Sequence, residues 1–571
     1  MKVSDYIAQV LDENGITTVF GHLGGFNVDI VDSIYKTNKH HYVLSYHEQA
    51  SSFAANSHSV LTENISVAVA SGAPSACNMI AGIANAFFDS NACLFLIGSV
   101  HSKAVRTSKD IRQNAFEEID FVSVVSEITK YAARVKSPDE IRYHLEKAMH
   151  VALEGRKGPV VLDIPYDVAR ADVCIDKLKR FIPSAQAGDW ELDIDSVMAL
   201  LRKAKKPIFL LGGGARSGKS RHALKQLLEK VKIPSVASLC GIDVLPHDHD
   251  CYAGFIGHYG NRYANFALAN CDCLIILGSR LDERQIGGSK RRFAPNADIV
   301  RVDVDKVELG RTLAENISLH TTVETFFEKL SAEDFTGCDY SAWHKVLYLW
   351  QERYPSYDLS ADDVNVNTFF HVISEFLADD AIVCSDVGQT QMCVAQSLRI
   401  DRQRRLINSA GYGSMGFSLP AAVGVACVER NRQVISINGD GGIQMNIQEL
   451  QTVSRENLPI TIIIVNNRCL GMIRRLQERI YDNRTVASVE GYSVPDYGAI
   501  ANGYGLPYMK IDSPDQYSSL RDFIRQPGPN IVELVASQEM RNMPEPGASI
   551  DLQTPLLSDE ENKLIKKESQ V

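Results

Sequence analysis

Gly439-Asp440-Gly441-Gly442-Ile443-Gln444-Met445 directly follows an apolar run at 433–437, and Asn466-Asn467 directly follows a second apolar run at 460–465. A helical pattern, including Ile447-Gln448-Glu449-Leu450, lies between the two runs. This order predicts a strand–helix–strand unit of a parallel sheet. Both polar clusters then lie at the carboxyl ends of neighbouring strands, which is where such sheets bind ligands.

The residue types in these two clusters favour a phosphate and a metal ion. Glycines let the backbone approach a phosphate closely, and the N-terminus of the following helix favours an anion. One Asp, one Asn and a backbone carbonyl make a sparse oxygen site, which suits Mg²⁺ because that ion keeps water and substrate phosphates as ligands. Two ordinary turns at strand ends are the alternative, and the spacing of Asp440 and Asn467 favours the metal site.

The rest of the chain repeats the alternation of short buried strands and helices. Further apolar, β-branched runs lie at 65–70, 93–98, 159–164, 207–211, 273–277, 298–304, 381–384 and 530–535. Such runs predict an α/β fold of doubly wound parallel sheets covered on both faces. Connectors at 170–195 and 331–361 divide the 571 residues into three domains. We expect domains at 1–180, 190–335 and 362–545, and a C-terminal arm at 546–571 with a frayed end.

Composition excludes several classes of protein. The chain carries 59 basic and 70 acidic residues, a net charge of −11, which makes nucleic acid a poor partner. Its twelve cysteines include no C-x-x-C pair, so zinc fingers and thioredoxin-type chemistry have no support. The N-terminus lacks a signal-peptide core, and no run of 18 apolar residues occurs. We therefore expect a cytoplasmic protein that does not enter a membrane.

The stretch Gly439 to Leu450 and the stretch Leu470-Gly471-Met472-Ile473-Arg474 resemble the acetohydroxyacid (acetolactate) synthase group of thiamin diphosphate (ThDP) enzymes. That resemblance implies three ThDP-enzyme domains: pyrimidine-binding, central and diphosphate-binding. It also implies that Mg²⁺ is held by Asp440, the side chain of Asn467 and the backbone oxygen of Cys469. The further ThDP-binding residues that it implies are Val387, Gly388, Gln389, Thr390, Gly413, Met415, Gly439, Gly441, Gly442, Leu470, Gly471 and Met472.

Glu48, in Tyr46-His47-Glu48-Gln49-Ala50, opens a predicted helix. By itself it is a glutamate that favours a helix start. In the family that it resembles, such a glutamate bonds to N1′ of the aminopyrimidine ring and promotes loss of the C2 proton. The resemblance also places Gly24 and Gly25 beside the reacting carbon, and it makes Met415 the wedge that bends the cofactor. Glu117 stands where the synthases have an active-site Gln.

The middle block resembles the FAD-binding segments of acetohydroxyacid synthases, in which the flavin is mostly structural. The implied contacts are Arg156, Gly212, Gly213, Gly214, Ser238, Leu239, His258, Tyr259, Gly260, Gly278, Arg280, Arg284, Asp303 and Val304. The same block offers a function of another class, because residues 213–220 match the P-loop pattern G-x-x-x-x-G-K-S of an NTPase. Against this alternative, the strand at 273–277 ends in Gly-Ser-Arg and supplies no Walker-B acid.

The resemblance implies a carboligase that decarboxylates a 2-keto acid, pyruvate, and transfers the two-carbon unit to a carbonyl acceptor. Glu117, and Arg475-Leu476-Gln477 in place of Gln-Trp-Gln, argue against branched-chain amino-acid synthesis. The Glu117 carboxylate on the acceptor side favours a hydroxyl-rich acceptor over an anionic 2-keto acid. We expect a nucleotide-linked keto-deoxysugar, such as the CDP-4-keto-3,6-dideoxy sugar of yersiniose-type synthesis. Pyruvate as acceptor, which gives acetolactate, is the alternative, and a 2-keto acid decarboxylase is a weaker one. A homodimer or homotetramer with the active site between subunits is also implied.

Overall fold

The structure is a computed structural model that describes residues 1–108, 110–183, 192–360, 363–526 and 528–571. The domain boundaries expected at 190 and 362 lie outside these ranges. The described residues form three six-stranded sheets, and neighbouring strands are parallel in all three. The predicted fold class, α/β with three doubly wound parallel sheets, is therefore confirmed. No helix in these ranges combines the length and the apolar character needed to span a bilayer.

The first unit contains the sheet with strand order β2-β1-β3-β4-β6-β5. Its strands are β1 (Thr18–Gly21), β2 (His41–Leu44), β3 (Ser66–Ser71), β4 (Cys93–Ser99), β5 (Tyr131–Arg134) and β6 (Val160–Pro165). Its helices are α1 (Val3–Glu13), α2 (Val28–Lys36), α3 (Glu48–Thr62), α4 (Gly72–Asn78), α5 (Ile80–Asp89), α6 (Phe121–Val125), α7 (Ile141–Leu153) and α8 (Tyr166–Arg170).

The middle unit has the order β12-β11-β10-β7-β8-β9, which is that of the dinucleotide-binding Rossmann fold. Its strands are β7 (Pro207–Leu211), β8 (Ser235–Ala237), β9 (Tyr252–Phe255), β10 (Cys273–Leu277), β11 (Asp298–Asp303) and β12 (Ile317–His320). Its helices are α9 (Ile194–Lys203), α10 (Gly218–Lys230), α11 (Arg262–Asn270), α12 (Glu283–Ile286), α13 (Val323–Ser331) and α14 (Ser341–Arg353). Helix α14 corrects the connector expected at 331–361, because Trp343 and Trp350 bury it against this unit.

The third unit has the order β14-β13-β15-β16-β18-β17, so it repeats the topology of the first unit. Its strands are β13 (Ile382–Ser385), β14 (Arg405–Asn408), β15 (Val434–Gly439), β16 (Ile460–Asn466), β17 (Tyr508–Ile511) and β18 (Asn530–Val535). Its helices are α15 (Val366–Ile373), α16 (Gln389–Ser397), α17 (Ser418–Ala426), α18 (Asp440–Met445), α19 (Leu450–Arg455), α20 (Gly471–Ile480), α21 (Tyr497–Gly503) and α22 (Tyr517–Arg525).

Each sheet has one point at which the direction of winding reverses, and ligands of such folds bind in the crevice beyond it. The reversal lies between β1 and β3 in the first unit, between β7 and β10 in the middle unit, and between β13 and β15 in the third. The polar and glycine-rich clusters found in the sequence follow these strands. The topology therefore places each cluster at a crevice suited to a ligand.

The first and third units pack directly on each other through α3 and α17. The Ser57 hydroxyl donates to the Ala421 carbonyl oxygen at 2.8 Å, and the rings of Phe53 and Phe417 meet edge to face at 5.4 Å. Gly424 lies so close that a Cβ there would be 2.2 Å from the Ala54 oxygen. A small residue at this crossing therefore allows the two units to form one continuous core.

The C-terminal arm returns to the middle unit and ends in helix α23 (Asp559–Glu568). The Glu568 carboxylate accepts a hydrogen bond from Trp350 Nε1 at 2.8 Å and pairs with Arg353. Ile565 is buried with Trp343 and Trp350 in the same apolar cluster. The expectation of a frayed end is therefore wrong, since the described arm is docked by both packing and ion pairing.

Candidate active site

Asp440 and Asn467 meet at the strand ends of the third unit. Asp440 begins α18 after β15, and its Oδ2 accepts the Arg468 backbone N–H at 2.7 Å. The Asn467 amide oxygen faces the Cys469 backbone N–H at 3.3 Å. Tyr492 holds the other carboxylate oxygen of Asp440 by donating its hydroxyl at 2.8 Å. The predicted oxygen ligands thus lie together at the carboxyl ends of the neighbouring strands β15 and β16.

The carboxylate of Asp440 is buried, and this changes its acidity. Burial raises the pKa of Asp440 to about 6, although hydrogen bonds from Tyr492 and from the backbone N–H groups of residues 441, 467 and 468 act in the lowering direction. A divalent cation would relieve this cost by neutralising the buried charge. One carboxylate and one amide oxygen are hard ligands, and they leave room for water and phosphate, so the donor set fits Mg²⁺.

The glycines after β15 form a cradle with no room for side chains. A Cβ on Gly441 would lie 2.7 Å from Leu470 Cδ2 and 3.4 Å from Met415 Cε. A Cβ on Gly442 would lie 2.0 Å from Asp386 Oδ2. Since α18 begins here, its backbone N–H groups point into the crevice, as anion binding requires. Asp386, which packs against this cradle, was not among the predicted site residues.

Residues after β13 form the opposite wall of the crevice. Gly388 has a φ of 104°, which favours glycine, and helix α16 begins at the next residue. Gln389 Oε1 is buried without a hydrogen-bond partner, and a Cβ on Gly471 would lie 1.9 Å from it. A Cβ on Gly439 would lie 3.4 Å from Thr390 Oγ1, and one on Gly413 would lie 3.9 Å from Val387 Cγ1. The unpartnered amide oxygen and the open glycines fit a bound polar group.

Met472, which the resemblance assigns to ThDP binding, contacts the middle unit. Its sulfur accepts a hydrogen bond from the Tyr259 hydroxyl of the middle unit at 3.3 Å. Cys469 is buried and its thiol faces the Gln538 carbonyl oxygen at 4.0 Å, so the side chain points away from the Asp440 carboxylate turn. Burial raises the pKa of this thiol to about 11. Because Mg²⁺ prefers oxygen ligands, the Cys469 backbone oxygen fits that ion better than the thiol does.

Glu48 is the first residue of α3 and lies at the crevice of the first unit. Asn78, at the end of α4, donates its amide to Glu48 Oε2 at 2.9 Å. Burial acts to raise the pKa of Glu48, but hydrogen bonds from Asn78, its own backbone N–H and Ser75 outweigh burial, and the pKa is lowered. The carboxylate is therefore ionised near neutral pH and held in a fixed direction.

Gly24, Gly25 and Glu117 surround the same crevice. A Cβ on Gly24 would lie 2.5 Å from Ser71 Oγ, while Gly25 faces open space. Glu117 has a φ of 59°, which is unusual for a residue with a side chain, and its Oε2 lies 2.2 Å from where a Cβ on Gly72 would be. The structure therefore brings these three residues to the strand ends that also carry Glu48.

The end of β2 is held by a residue of the third unit that sequence reasoning missed. Glu449 is buried, and its Oε1 accepts the backbone N–H groups of Tyr46 at 2.8 Å and His47 at 3.0 Å. Burial raises the pKa of Glu449. Its position in Gln448-Glu449-Leu450 marks the helix but gives no sign of a contact some 400 residues away along the chain.

The middle unit contains a cavity of about 460 Å³ at the β7–β10 reversal. Eight of the predicted flavin contacts line it: Arg156, Gly213, Gly214, Ser238, Gly278, Arg280, Asp303 and Val304. A smaller adjoining cavity is lined by Leu239, His258, Tyr259, Arg284 and again Arg280. Gly212 packs under Gly278 with no space for a Cβ, and the Gly260 oxygen accepts from Gln553, so these two lie outside both linings.

The P-loop pattern does not form a nucleotide loop. The Glu63 carboxylate of the first unit accepts the Gly218 backbone N–H at 2.6 Å, where a phosphate would need that donor. The Ser220 hydroxyl is buried against Ser217 at 2.9 Å, and Lys219 points outward to Glu324 at 3.8 Å. The NTPase alternative is therefore not supported by this geometry.

Family models match each of the three units. The N-terminal TPP binding domain of thiamine pyrophosphate enzymes matches residues 1–124, the central domain matches 194–330, and the C-terminal TPP binding domain matches 386–534. Thiamine pyrophosphate and ThDP are the same compound. The second sheet lies within the matched central segment, and the third sheet lies within the matched C-terminal segment except for β13 and the last residue of β18. The Asp440 turn therefore falls within a family domain.

Curated relatives extend the similarity over nearly the whole chain. The acetolactate synthase large subunit of Lactococcus lactis is 31% identical over 95% of this chain and 93% of its own length. The acetolactate synthase isozyme 1 large subunit of Escherichia coli is 31% identical, with 96% of both chains covered. The probable acetolactate synthase large subunit of Methanocaldococcus jannaschii is 32% identical over 94% and 92%. This chain therefore belongs to the thiamine pyrophosphate enzyme family and is an enzyme similar to acetolactate synthase large subunits.

Proposed function

We propose that this enzyme decarboxylates pyruvate and joins the remaining two-carbon unit to the carbonyl group of a second substrate, with ThDP and Mg²⁺ as cofactors. The convergence of Asp440, Asn467 and the glycine cradle on one crevice carries the proposal. Pyruvate as the second substrate gives acetolactate. The relatives' printed names favour this acceptor, so we place it ahead of the nucleotide-linked sugar that the sequence favoured.

Different residues would hold the metal ion and the diphosphate of the cofactor. Asp440, the Asn467 side chain and the Cys469 carbonyl would bind Mg²⁺, and the N–H groups at the start of α18 would bind the diphosphate. When bound, ThDP supplies a carbon nucleophile and an electron sink for decarboxylation. Met415 and Leu470 lie over Gly441, and their apolar side chains keep water from the crevice.

Glu48 would exchange a proton with the ring nitrogen of the cofactor. Its carboxylate is ionised and held by Asn78, so it presents a fixed acceptor. General acid–base groups of this kind contribute about 10²- to 10⁴-fold to a rate. Gly25 leaves open space beside the first-unit crevice for the substrate, while Gly24 packs closely on Ser71, and Glu117 would line the same crevice beside Gly72.

We also propose that the active site is completed between two subunits of a homodimer or homotetramer. Large apolar side chains around both crevices are exposed, including Leu23, Tyr46, Phe116 at 80%, and Met445. Exposed large apolar side chains close to a crevice are consistent with a protein–protein interface there. Glu48 of one subunit would then face the Asp440 turn of the next.

FAD is the ligand that we propose for the central cavity. The Rossmann strand order, the Gly212–Gly278 contact at the reversal and the lining by Arg156 and Arg280 support a dinucleotide there. For domain limits we propose 1–180, 190–335 and 362–545, followed by the arm at 546–571.

A nucleotide-linked keto-deoxysugar remains the second candidate acceptor. The Glu117 carboxylate at Gly72 favours it, because a negative charge on the acceptor side disfavours a second anionic keto acid. Arg475 does not offset that charge, since its guanidinium is paired with Glu545 at 2.6 Å and also with Glu478. The segment that stands in place of the synthases' Gln-Trp-Gln thus begins with an arginine that is already paired with Glu545 and Glu478.

Product analysis separates these candidates. The purified enzyme with ThDP, Mg²⁺ and FAD is given pyruvate alone, then pyruvate with a CDP-4-keto-3,6-dideoxy sugar. We expect acetolactate from pyruvate alone. A branched sugar formed in the second reaction, with no acetolactate in the first, would favour the sugar acceptor. Acetaldehyde as the sole product would indicate a decarboxylase.

Glu48→Gln tests the proposed proton-exchange role. We expect the variant to bind ThDP but to lose at least about 100-fold in kcat, because the amide cannot exchange the proton. Glu127→Gln, at an exposed position of the same unit, is the matched control and should keep wild-type kcat. Wild-type turnover by Glu48→Gln would remove Glu48 from the mechanism.

A further inference from the structure

The end of α5 contacts the loop at 409–416, here called the methionine loop because it carries Met415. The Asp89 carboxylate accepts the backbone N–H groups of Ala410 at 3.2 Å and Gly411 at 2.6 Å. One residue earlier, the Phe88 ring stacks on Tyr412 with centroids 5.5 Å apart and planes 3° apart. Three consecutive positions of the loop are therefore held by two neighbouring side chains of the first unit.

A third side chain of α5 extends this hold to the residues just before Met415, and Asp386 of the third unit holds the residue after it. Asn85 Oδ1 accepts the Ser409 hydroxyl at 2.5 Å. The oxygen of that hydroxyl accepts the N–H groups of Gly413 and Ser414, both at 3.0 Å. Gly416, on the other side of Met415, donates its N–H to Asp386 at 3.0 Å. Met415 thus lies between two anchored residues, with its Cε 3.4 Å from where a Cβ on Gly441 would be.

Asp89 also lies on the wall of the central cavity. The cavity lining includes Phe88, Asp89 and Arg280, and the smaller cavity includes Arg280, Ala410 and Gly411. A Cβ on Gly411 would lie 2.2 Å from Arg280 Nη2 and 2.7 Å from Asp89 Oδ1. Asp89, Arg280 and Gly411 therefore connect the first unit, the rim of the cavity and the methionine loop. A side chain at position 411 would collide with both Asp89 and Arg280.

We infer that Asp89 is a positioning residue, which fixes the methionine loop so that Met415 lies over the glycine cradle. The effect on catalysis rests on the proposed function, while the effect on ThDP binding does not require turnover. Loss of Asp89 would free the N–H groups of Ala410 and Gly411 and loosen the loop without changing the ligands of Mg²⁺ or the crevice around Glu48.

The test compares Asp89→Ala and Asp89→Asn with wild type as holoenzymes. We expect Asp89→Ala to lower kcat for pyruvate about tenfold or more, since small misplacements of positioning groups have effects of this size. KM for pyruvate should stay within about twofold, and the affinity for ThDP should fall by a similar factor to kcat. Asp89→Asn should recover most of both, because its amide oxygen still accepts the Gly411 N–H. Asp5→Ala removes a first-unit carboxylate that accepts the Ser33 hydroxyl at 2.8 Å, and this variant should match wild type.

Wild-type kcat and ThDP affinity in a folded Asp89→Ala protein would overturn the inference. So would an equal loss in both variants, because a general structural defect would not be rescued by Asn. If wild type turned over no 2-keto acid, the proposed function would fail, and calorimetric ThDP affinity alone would decide the role of Asp89. If Asp89→Ala does not fold, Gly411→Ala replaces it, because the added Cβ would displace Asp89 and Arg280. Gly411→Ala must then lower kcat while KM stays nearly unchanged. A Gly411→Ala protein without that difference between kcat and KM would overturn the inference.

Discussion

Asp386 is a single carboxylate that holds two parts of the active site together. Its oxygens accept the N–H groups of Val387 at 2.8 Å, Gly416 at 3.0 Å and Phe417 at 3.3 Å, and Gly442 passes directly beneath it. Burial raises the pKa of Asp386 to about 7, against the lowering effect of those N–H groups. The methionine loop and the glycine cradle therefore share a group whose charge changes near neutral pH.

We expect Asp386→Asn to remove a pH-dependent part of the stability. The folded pKa of about 7 lies above the value of about 3.9 for an unfolded Asp, so the contribution is complete below about pH 3.9 and is lost as the pH rises through about 7. One proton changes the free energy of unfolding by at most about 1.4 kcal/mol per pH unit. Thermal unfolding between about pH 5 and 8 measures this: wild type should lose stability relative to the variant as the pH rises.

Asp482→Asn is the control for this pH series. Its side chain is 89% exposed, so the variant should follow wild type at every pH. A difference between wild type and Asp386→Asn that stays constant over the range would contradict the prediction. Wild type and Asp386→Asn also differ in stability by a constant amount, because Asn has one acceptor oxygen where Asp has two. The prediction therefore concerns only how the stability of each protein changes with pH.

Single residues also show where sequence reasoning stops. Local sequence patterns mark Asp440, Asn467 and Glu48, since each follows a strand or begins a helix. These patterns and the family resemblance therefore predict them as site residues. Glu449 and Asp89 act through backbone contacts with segments more than 300 residues away. Nothing in the neighbouring residues marks such contacts, because they depend on how the units pack.

Helices α3 and α17 are equivalent elements of the two repeated topologies. Each follows the second strand of its own sheet in chain order and leads to the third. They cross where Gly424 meets the backbone of Ala54. Glu48 begins α3, and Met415 lies just before α17. The crossing of these helices therefore fixes the position of Glu48 relative to Met415 within one chain.

Gly424→Ala should destabilise the protein although alanine favours helices. The added Cβ would lie 2.2 Å from the Ala54 oxygen and 2.5 Å from Ser57 Oγ. Overpacking of this kind costs about 1–3 kcal/mol, which exceeds the gain of about 1 kcal/mol in helix propensity. Gly503→Ala in α21 is the matched control, because nothing lies within 4 Å of its Cβ position, and it should be neutral or stabilising. Equal thermal midpoints for the two variants would refute the tight crossing.

The elements that the sequence predicted are the central ones. Apolar runs such as 273–277 and 460–465 coincide with β10 and β16, which are buried on both faces. Edge strands β2 and β17 are half-exposed, and their sequences HYVL and YMKI lack the continuous apolar character that marks a buried strand. The sequence of α14 has the polar and aromatic character of a connector, because polar residues that face solvent interrupt its stripe of Trp343 and Trp350.

The three units are joined by buried contacts that include charged as well as apolar side chains. Asp243 accepts hydrogen bonds from Arg216 at 2.8 Å and from Arg405 at 2.7 Å, which joins the middle and third units. Burial acts to raise the pKa of Asp243, but Arg216 and Arg405 outweigh it and hold the pKa well below its usual range. The central cavity is walled by all three units, since Phe88, Gly213 and Asn408 all line it.

Removal of α23 tests how the arm contributes to the whole molecule. A chain that ends at Leu557 lacks Ile565 and Glu568, and it exposes the cluster around Trp343 and Trp350. We expect a loss of about 2–5 kcal/mol in stability, in the range for large losses of buried apolar groups, with a lower midpoint of thermal unfolding. Glu568→Gln keeps an acceptor for Trp350 Nε1 and should lose much less. A truncated chain as stable as wild type would show that the arm's packing contributes nothing.

Because the arm docks on Trp350, intrinsic tryptophan fluorescence reports whether the arm is docked. The chain has three tryptophans, of which Trp190 lies outside the described residues. Trp343 and Trp350 meet edge to face at 5.6 Å in a dry environment closed by the arm. Indole emission moves to longer wavelength when water reaches the ring. Undocking of the last helix can therefore be followed by intrinsic fluorescence, without a label and separately from the melting of the catalytic crevices.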